Sequence, residues 1–390
     1  MINCKAERIA SLPPYIFERI NRLKAQARAE GRDVIDLGMG NPDMPAPPHV
    51  IAKLKEVADN PKMHRYSASK GIKGLRRAIA ERYAKRFGVS LDPDKEVVTV
   101  IGSKEGLCHF ALAAFNPGEA ILVPNPSYPA HYFPFHIIGV RTQDMPLLAE
   151  NGFLPDLSKI NLKAEPRPKA MLLSFPHNPT TACASLDFMK EAVDFCRRND
   201  LFLIHDLAYG ELVFDGGSAP SILQVPGAKE VAIEFYSLSK TYNMAGWRVG
   251  FAVGNEELAG ALVKLKSYYD YGVFTPIQIA AIAALNGPQD CVAQTRQTYQ
   301  NRRDVLVSCL KKAGWDVPVS PATMYLWVPL PEKMRTMGSL AFATLLLEKA
   351  DVAVSPGVGF GPYGEGFVRI ALVENEQRLR QAARNIAKIL

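Results

Sequence analysis

One lysine of this sequence has the neighbours that covalent cofactor chemistry needs. An apolar run of strand length ends at Tyr236, and Ser237, Ser239, Lys240 and Arg248 follow it closely. An unpaired ammonium between buried strands is costly, so Lys240 needs a partner. A Schiff base with a carbonyl cofactor supplies one, because hydroxyls and an arginine nearby suit a cofactor's phosphate. The ordinary alternative is a loop lysine whose stem packs while its head reaches water.

The elements that must position this lysine have the pattern of a mostly parallel α/β sheet. Short apolar and β-branched runs alternate with helix-length segments from residue 97 onward. Such runs are typical of parallel strands covered by helices, and ligands bind beyond the carboxyl ends of those strands. The strands that we predict are 97–101, 120–123, 170–174, 201–205 and 231–236, and 249–253 follows as a further short buried strand.

Unusual residues follow four of these predicted strands. Ser103 and Lys104 begin a helix after the first strand, where free N–H groups can bind a phosphate. The alternative is an ordinary helix cap that binds no ligand. Tyr128 follows the second strand and can present its ring to a planar ligand, and Asn178 follows the third. Asp206 follows the fourth, where a buried carboxylate requires a cation. We therefore expect these side chains around one site.

Two residues outside the predicted sheet are also candidates. Gly40 lies in a glycine-containing turn that lets another group approach the backbone closely, and a plain tight turn is the alternative. Arg369 lies within an apolar run. It either faces water on an edge strand or points inward, where a carboxylate is its natural partner.

The C-terminal part of the chain has the pattern of a second, smaller α+β unit. We expect strands at 323–328, 352–355 and 367–372, helices at 340–348 and 375–390, and an irregular, mobile loop at 357–366. The predicted organisation is an N-terminal segment, 1–47, that packs with the small domain, a large domain, 48–288, and the small domain itself, 289–390.

Composition and charge argue against several classes of protein. The 390 residues are 48% hydrophobic, which is enough for a large core. The net charge of +7 is spread along the chain without a basic tract, so we expect no nucleic-acid partner and a surface that attracts small carboxylic acids. No segment has the pattern of a membrane span or a signal peptide. Six cysteines without metal-ligand spacing predict reduced thiols, no metal site and a cytoplasmic protein.

These residues together resemble the class I, pyridoxal-phosphate-dependent aminotransferases of fold type I. The resemblance covers nearly the whole chain and implies a large domain with a mostly parallel seven-stranded sheet between helices, plus a smaller α+β domain. Within the family the chain is similar to the bacterial alanine (glutamate–pyruvate) aminotransferases, in segments such as NPDMPAPPH, IGSKEGL and LSKTYNMAGWR. The residues that carry the resemblance are Tyr66, Ser103, Lys104, Tyr128, Asn178, Asp206, Tyr209, Ser237, Ser239, Lys240, Arg248 and Arg369.

The resemblance implies catalytic roles around the cofactor ring. Lys240 would bind pyridoxal phosphate as a Schiff base and then move the proton between the substrate Cα and the cofactor. Asp206 would pair with the protonated pyridinium nitrogen. Tyr209 and Asn178 would hydrogen-bond the ring's phenolic oxygen, and Tyr128 would stack on the ring.

The family pattern also implies a substrate site and a phosphate site. Arg369 would bind the substrate α-carboxylate, with Gly40 and Asn178 beside it, and Tyr15 on the first helix would form part of a lid. Tyr66 would reach the phosphate from a neighbouring subunit, so the resemblance implies a homodimer with shared active sites. The other residues that would bind the phosphate are Ser103, Lys104, Ser237, Ser239 and Arg248.

Two departures from the family bear on the substrate. The segment 267–272 lacks the arginine with which aspartate aminotransferases bind a side-chain carboxylate, and 274–276 lacks an asparagine that is typical of LL-diaminopimelate aminotransferases. We therefore expect L-alanine with 2-oxoglutarate, or pyruvate with glutamate, as substrates. The alternatives are an aminotransferase for LL-diaminopimelate or another amino acid, a carbon–sulfur β-lyase on the same fold, and a cofactor-binding regulatory protein with little turnover.

Overall fold

The computed structural model describes residues 6–12 and 16–390 of the chain. Its strands are β1 (Ile35–Asp36), β2 (Val97–Val100), β3 (Ala120–Asn125), β4 (Arg141–Pro146), β5 (Pro168–Ser174), β6 (Phe202–Asp206), β7 (Ala232–Ser237), β8 (Gly250–Gly254), β9 (Tyr325–Pro329), β10 (Val352–Ala353), β11 (Ser355–Pro356) and β12 (Phe367–Ala371). Its α-helices are α1 (Glu7–Ala10), α2 (Ile16–Ala29), α3 (Pro48–Ala58), α4 (Lys73–Phe87), α5 (Ser103–Ala114), α6 (Phe133–Ile137), α7 (Leu186–Arg198), α8 (Ala228–Val231), α9 (Leu238–Thr241), α10 (Glu256–Tyr269), α11 (Thr275–Asn286), α12 (Asp290–Lys312), α13 (Ser339–Ala350) and α14 (Glu376–Ala387). None of the described helices is long and apolar enough to cross a bilayer.

A seven-stranded sheet forms the centre of the described chain. Its strand order is β2-β8-β7-β6-β5-β3-β4. β8 runs antiparallel to both of its neighbours, and the other adjacent pairs are parallel. The carboxyl ends of β3, β5, β6 and β7 therefore lie at one edge. This arrangement confirms the predicted mostly parallel sheet of a fold type I protein.

Both faces of this sheet are buried under helices, which explains why its central strands are apolar throughout. In β5, Met171 and Leu173 pack into one core, which α4, α7 and α11 cover. The alternate residues Ala170 and Leu172 pack into a second core, which α5 and α10 cover. The helices thus hold the sheet between two apolar layers.

One strand of the sheet was not predicted from the sequence. β4 is an edge strand, and most of its side chains are exposed or half-buried, with only Met145 buried. Its sequence, RTQDMP, therefore lacks the apolar run by which the central strands are recognised. Pairing with β3 along its length places it in the sheet.

The smaller α+β unit has its own core. β9 and β11 pair antiparallel with β12, and β1 pairs parallel with β10. Ile20 of α2 and Ile35 of β1 belong to the same core as Leu326, Leu346 and Ile370. The N-terminal part of the chain thus packs against the smaller unit, while the exact domain boundaries stay a prediction.

The segment predicted as an irregular loop, 357–366, is instead mostly ordered into two short 3-10 helices, Gly357–Phe360 and Pro362–Gly364. Gly357 and Gly364 pack so closely that a side chain at either one would overlap the carbonyl oxygen of the other. The segment reads as a loop because its glycines and proline interrupt any periodic pattern. Its compact folding buries Phe360 at the wall of the cavity described next.

Candidate active site

A cavity of about 430 Å³ lies where the carboxyl ends of the central strands meet the smaller unit. It brings together most of the residues that were singled out in the sequence. Tyr66 does not line it, and Tyr15 lies outside the described residues. The predicted residues that line it are Gly40, Ser103, Lys104, Tyr128, Asn178, Asp206, Tyr209, Ser237, Ser239, Lys240, Arg248 and Arg369.

Lys240 lies in a single helical turn directly after β7. Ser237 begins this turn, and its Oγ accepts a hydrogen bond from the Ser239 N–H at 3.2 Å. The Lys240 Nζ donates to the Gly40 carbonyl oxygen at 2.9 Å. Burial lowers the pKa of Lys240; Tyr325 opposes this shift, while Arg369 adds to it. The site thus shifts Lys240 toward its neutral form, which is the nucleophilic form of an amine.

Asp206 is held at the carboxyl end of β6 by two donors. Its Oδ2 lies 2.9 Å from Nε2 of His131, and its Oδ1 accepts from the Ala208 N–H at 3.1 Å. The other ring nitrogen of His131 lies 2.7 Å from the Ser127 hydroxyl. All three side chains of this Ser127–His131–Asp206 chain are buried. The carboxylate is therefore fixed in place while it still lines the cavity.

Arg369 points into the protein, so the structure shows the inward one of the two predicted orientations. Its guanidinium donates to Asn178 Oδ1 at 2.8 Å and to the Gly38 carbonyl at 3.0 Å. The rings of Tyr325 and Phe360 lie 4.1 and 4.7 Å from its central carbon. Arg369 forms no ion pair with a carboxylate of the described residues, and its buried Nε has no hydrogen-bond partner. A buried guanidinium of this kind suits a carboxylate from a ligand.

The start of α5 forms an anion-binding corner of the cavity. Gly102, at φ +84°, precedes the helix, and no side chain caps the first N–H groups. Arg248 lies beside this corner, where it donates to the Ile101 carbonyl at 3.3 Å. A side chain at Gly102 would overlap the Arg248 guanidinium, so glycine permits this close approach. With the Ser237 and Ser239 hydroxyls on the same cavity wall, the corner has the donors that a phosphate needs.

Several residues of the site were missed in the sequence, among them Lys24 of the cavity lining and three residues that support predicted ones. His131 supports Asp206, Phe360 packs on Arg369, and the Tyr325 hydroxyl lies 3.1 Å from that of Tyr209. Tyr325 lies at the start of β9, inside a segment that was predicted as a strand. The sequence did offer one signal for Tyr325, a tyrosine within an otherwise apolar run. A buried tyrosine hydroxyl needs a hydrogen-bond partner, so a polar site nearby could have been expected.

The family model for aminotransferases of class I and II matches residues 32–386. The chain belongs to this family. It is 52% identical to the glutamate-pyruvate aminotransferase AlaC of Escherichia coli, over 97% of this chain and 92% of that one. It is 48% identical to an LL-diaminopimelate aminotransferase of Moorella thermoacetica, over 99% and 98%. A substrate-bound BacF structure from Bacillus subtilis superposes with a TM-score of 0.95 at 36% identity, over 100% and 98%.

Class I aminotransferases use pyridoxal 5'-phosphate, and the cavity of this aminotransferase fits that group. The corner at α5 suits the phosphate, since it offers backbone N–H groups and Arg248. The Lys240 amine suits the aldehyde carbon, and the fixed Asp206 carboxylate suits a protonated ring nitrogen. The site thus has a partner for the phosphate, for the aldehyde and for the ring nitrogen of the cofactor.

Tyr66 lies at the surface of this aminotransferase, away from the cavity. Its side chain is 85% exposed, and its ring centroid lies 4.5 Å from that of Tyr271, which is also exposed. A residue that reaches a neighbouring subunit must be accessible in the isolated chain. The role of Tyr66 in a shared active site stays a prediction.

Proposed function

We propose that this aminotransferase transfers an amino group between L-alanine and 2-oxoglutarate, or between glutamate and pyruvate in the reverse direction. The observation that carries the proposal is the charge of the cavity wall. The described residues that line it include the basic side chains of Lys24, Lys104, Lys240, Arg248 and Arg369 and one carboxylate, that of Asp206. A cationic wall suits substrates with carboxylates and no second amine.

The competing donor, LL-diaminopimelate, carries a second carboxylate at its far end and, on the neighbouring carbon, a second ammonium. Asp206 is engaged with His131, and it is assigned to the cofactor. No other carboxylate of the described residues lines the cavity, so the second ammonium would lose its hydration without gaining a partner. Alanine brings no such group. The 52% identity to a glutamate-pyruvate aminotransferase supports the same substrate pair.

The second carboxylate of 2-oxoglutarate needs a cation, and we assign this role to Lys24. Its Nζ lies 2.7 Å from Asp36 Oδ2, and the guanidinium of Arg28 lies 3.7 Å from the same oxygen. Asp36 therefore keeps a cation nearby when Lys24 contacts the acceptor. Alanine leaves the Lys24–Asp36 ion pair intact, so one cavity accepts both substrates.

The chain's own residues divide the chemistry between them. When bound, pyridoxal phosphate supplies an electron sink that stabilises negative charge at the substrate Cα. Arg369 holds the α-carboxylate, and Lys240 takes the Cα proton and would deliver it to the carbon of the cofactor's former aldehyde group. Asp206, fixed by His131, would hold the proton on the ring nitrogen, and Tyr209 would donate to the ring oxygen. The residues that would bind the phosphate are Ser103, Lys104, Ser237, Ser239 and Arg248.

A panel of amino donors against saturating 2-oxoglutarate tests the proposal. We expect kcat/KM for L-alanine to exceed that for LL-diaminopimelate by about tenfold or more, because of the unpaired second ammonium. Glutamate formation is the measurement. A higher kcat/KM for LL-diaminopimelate would contradict the substrate assignment, and ammonia release from L-cystathionine without an acceptor would instead indicate a β-lyase.

A further inference from the structure

Tyr325 connects three parts of the active site that the sequence places far apart. Its side chain is almost fully buried and lines the cavity. Its hydroxyl lies 3.1 Å from the Tyr209 hydroxyl, and its ring lies 4.1 Å from the Arg369 guanidinium. A side chain at Gly40 would overlap the same ring. Tyr325 thus contacts Tyr209, which is assigned to the cofactor oxygen, and Arg369, which is assigned to the substrate carboxylate. It also contacts Gly40, whose carbonyl accepts a hydrogen bond from the Lys240 amine.

The sheet of the smaller unit fixes this placement. In the antiparallel pair of β9 and β12, Tyr325 lies opposite Ala371, and Arg369 lies opposite Trp327. Tyr325 and Arg369 are therefore diagonal neighbours on one face of the sheet, where a long side chain can cross a ring. Phe360 closes the other side of the guanidinium at 4.7 Å. Two aromatic rings thus define the plane in which Arg369 can receive a carboxylate.

The contact with Gly40 extends the influence of Tyr325 to Lys240. The backbone at Gly40 lies so close to Tyr325 that a side chain at this position would overlap the tyrosine, so only glycine fits here. The carbonyl oxygen of Gly40 accepts from the Lys240 Nζ at 2.9 Å. The ring therefore sets where this acceptor lies relative to the amine.

The hydroxyls of Tyr209 and Tyr325 lie in unlike electrostatic surroundings. Burial raises the pKa of Tyr209 well above its ordinary value. Burial acts in the same sense on Tyr325, but the charges of Arg369 and Lys240 and the hydrogen bond with Tyr209 outweigh it and lower the Tyr325 pKa. Either hydroxyl can donate across their 3.1 Å contact. The contact fixes the Tyr209 hydroxyl beside the cavity that both side chains line.

We propose that Tyr325 is a positioning residue with two separable functions: its hydroxyl holds the Tyr209 hydroxyl in place for the cofactor oxygen, and its ring holds Arg369 for the substrate carboxylate. This inference rests on the proposed assignment of Tyr209 and Arg369. It does not depend on which amino acid is the donor. The charged and titratable groups that face the Tyr325 hydroxyl are Arg369, Lys240 and Tyr209, with Tyr299 more remote.

A Tyr325→Phe variant removes the hydroxyl and keeps the ring. In the purified holoenzyme we expect the pH midpoint of the cofactor's absorbance change to rise by about one unit, because Tyr209 donates less effectively to the anionic ring oxygen. Binding of propionate, a carboxylate that cannot react, should change less than about twofold, since the ring remains under Arg369. An unchanged midpoint would contradict the function of the hydroxyl.

A Tyr325→Leu variant removes the ring as well. Here propionate affinity should fall by roughly three- to thirtyfold, the range expected for a lost cation–π contact. A Leu variant that binds propionate as tightly as the Phe variant would contradict the function of the ring. The matched control is Tyr299→Phe, which removes a buried hydroxyl that has no partner, so both readouts should stay at their wild-type values.

These two readouts separate the inference from the proposed substrate. The absorbance midpoint and propionate binding are both measured without an amino donor. A holoenzyme that ignores L-alanine but shows both shifts would refute alanine as the substrate and support the role of Tyr325. A holoenzyme that transaminates L-alanine but shows neither shift would support alanine as the substrate and refute the role of Tyr325.

Discussion

The amine of Lys240 lies in surroundings that disfavour its charged form. Burial is the main cause of its lowered pKa, and the guanidinium groups of Arg369 and Arg248 act in the same direction. Among the described residues, its Nζ donates a hydrogen bond to a backbone carbonyl, that of Gly40. The chain thus carries an unfavourable lysine in its centre, and covalent attachment of a cofactor removes that charge.

The apo-protein should therefore become more stable as pH rises. Because the folded state disfavours the protonated amine, the unfolded chain binds more protons, and unfolding free energy increases with pH between the lowered pKa of Lys240 and its ordinary value of 10.5. A Lys240→Met variant lacks this titration. Its melting temperature relative to wild type should be highest at neutral pH and should decline toward pH 10.5.

Differential scanning fluorimetry of the apo-proteins across this pH range is the measurement. Lys163→Met is the control, because that side chain is exposed and its removal should shift the melting temperature equally at every pH. A difference between Lys240→Met and wild type that stays constant with pH would mean that Lys240 is as readily charged in the fold as in water.

Residues at strand ends could be predicted from the sequence, whereas residues that complete the site through long-range packing could not. Asp206 is the last residue of one apolar strand, and Asn178 lies shortly after the end of another. The carboxyl ends of parallel strands meet at one edge of the sheet, so both side chains were expected at the same site. His131 and Tyr325 reach the same cavity from a short helix and from a different sheet. Their contacts depend on how the two units of the chain pack, which no local pattern specifies.

At the scale of elements, a buried polar network ties together the strands that carry the site. Glu234 of β7 is fully buried and accepts hydrogen bonds from the Tyr83 hydroxyl of α4 and from the Ser221 hydroxyl, both at 2.7 Å. It also contacts the Ile222 N–H and the ring of His205, which precedes Asp206 in β6. A charge buried this deeply is tolerated because it has several donors. The network fixes β6 and β7, whose ends carry Asp206 and Lys240.

Removal of one donor should destabilise the fold measurably. We expect Tyr83→Phe to lower the free energy of unfolding by about 1.5–3 kcal/mol, the range for a hydrogen bond to a charged group. Tyr299→Phe is the matched control, since Tyr299 is equally buried but its hydroxyl has no partner. Urea unfolding of the two holoenzymes gives the comparison, and equal losses would show that the Glu234 network does not stabilise the fold.

At the scale of the molecule, exposed aromatic side chains gather on two neighbouring segments. Tyr66 is paired with Tyr271, and Phe274 lies against His64. Tyr268 and Tyr66 are each more than four-fifths exposed. Aromatic side chains that are exposed together indicate a surface that binds a partner. We propose that a second copy of the chain covers them and that Tyr66 thereby enters the partner copy's active site.

Subunit mixing tests this arrangement. Lys240→Ala and Tyr66→Ala should each be nearly inactive alone. In a mixed dimer, however, the site that keeps Lys240 receives an intact Tyr66 from the other chain. Random reassociation makes half of the dimers mixed, with one restored site each, so we expect about a quarter of wild-type activity. A mixture of Lys240→Ala with Lys240→Met is the control, because no pairing of these chains restores a lysine. Activity no greater than that of the separate variants would mean that each chain completes its own site.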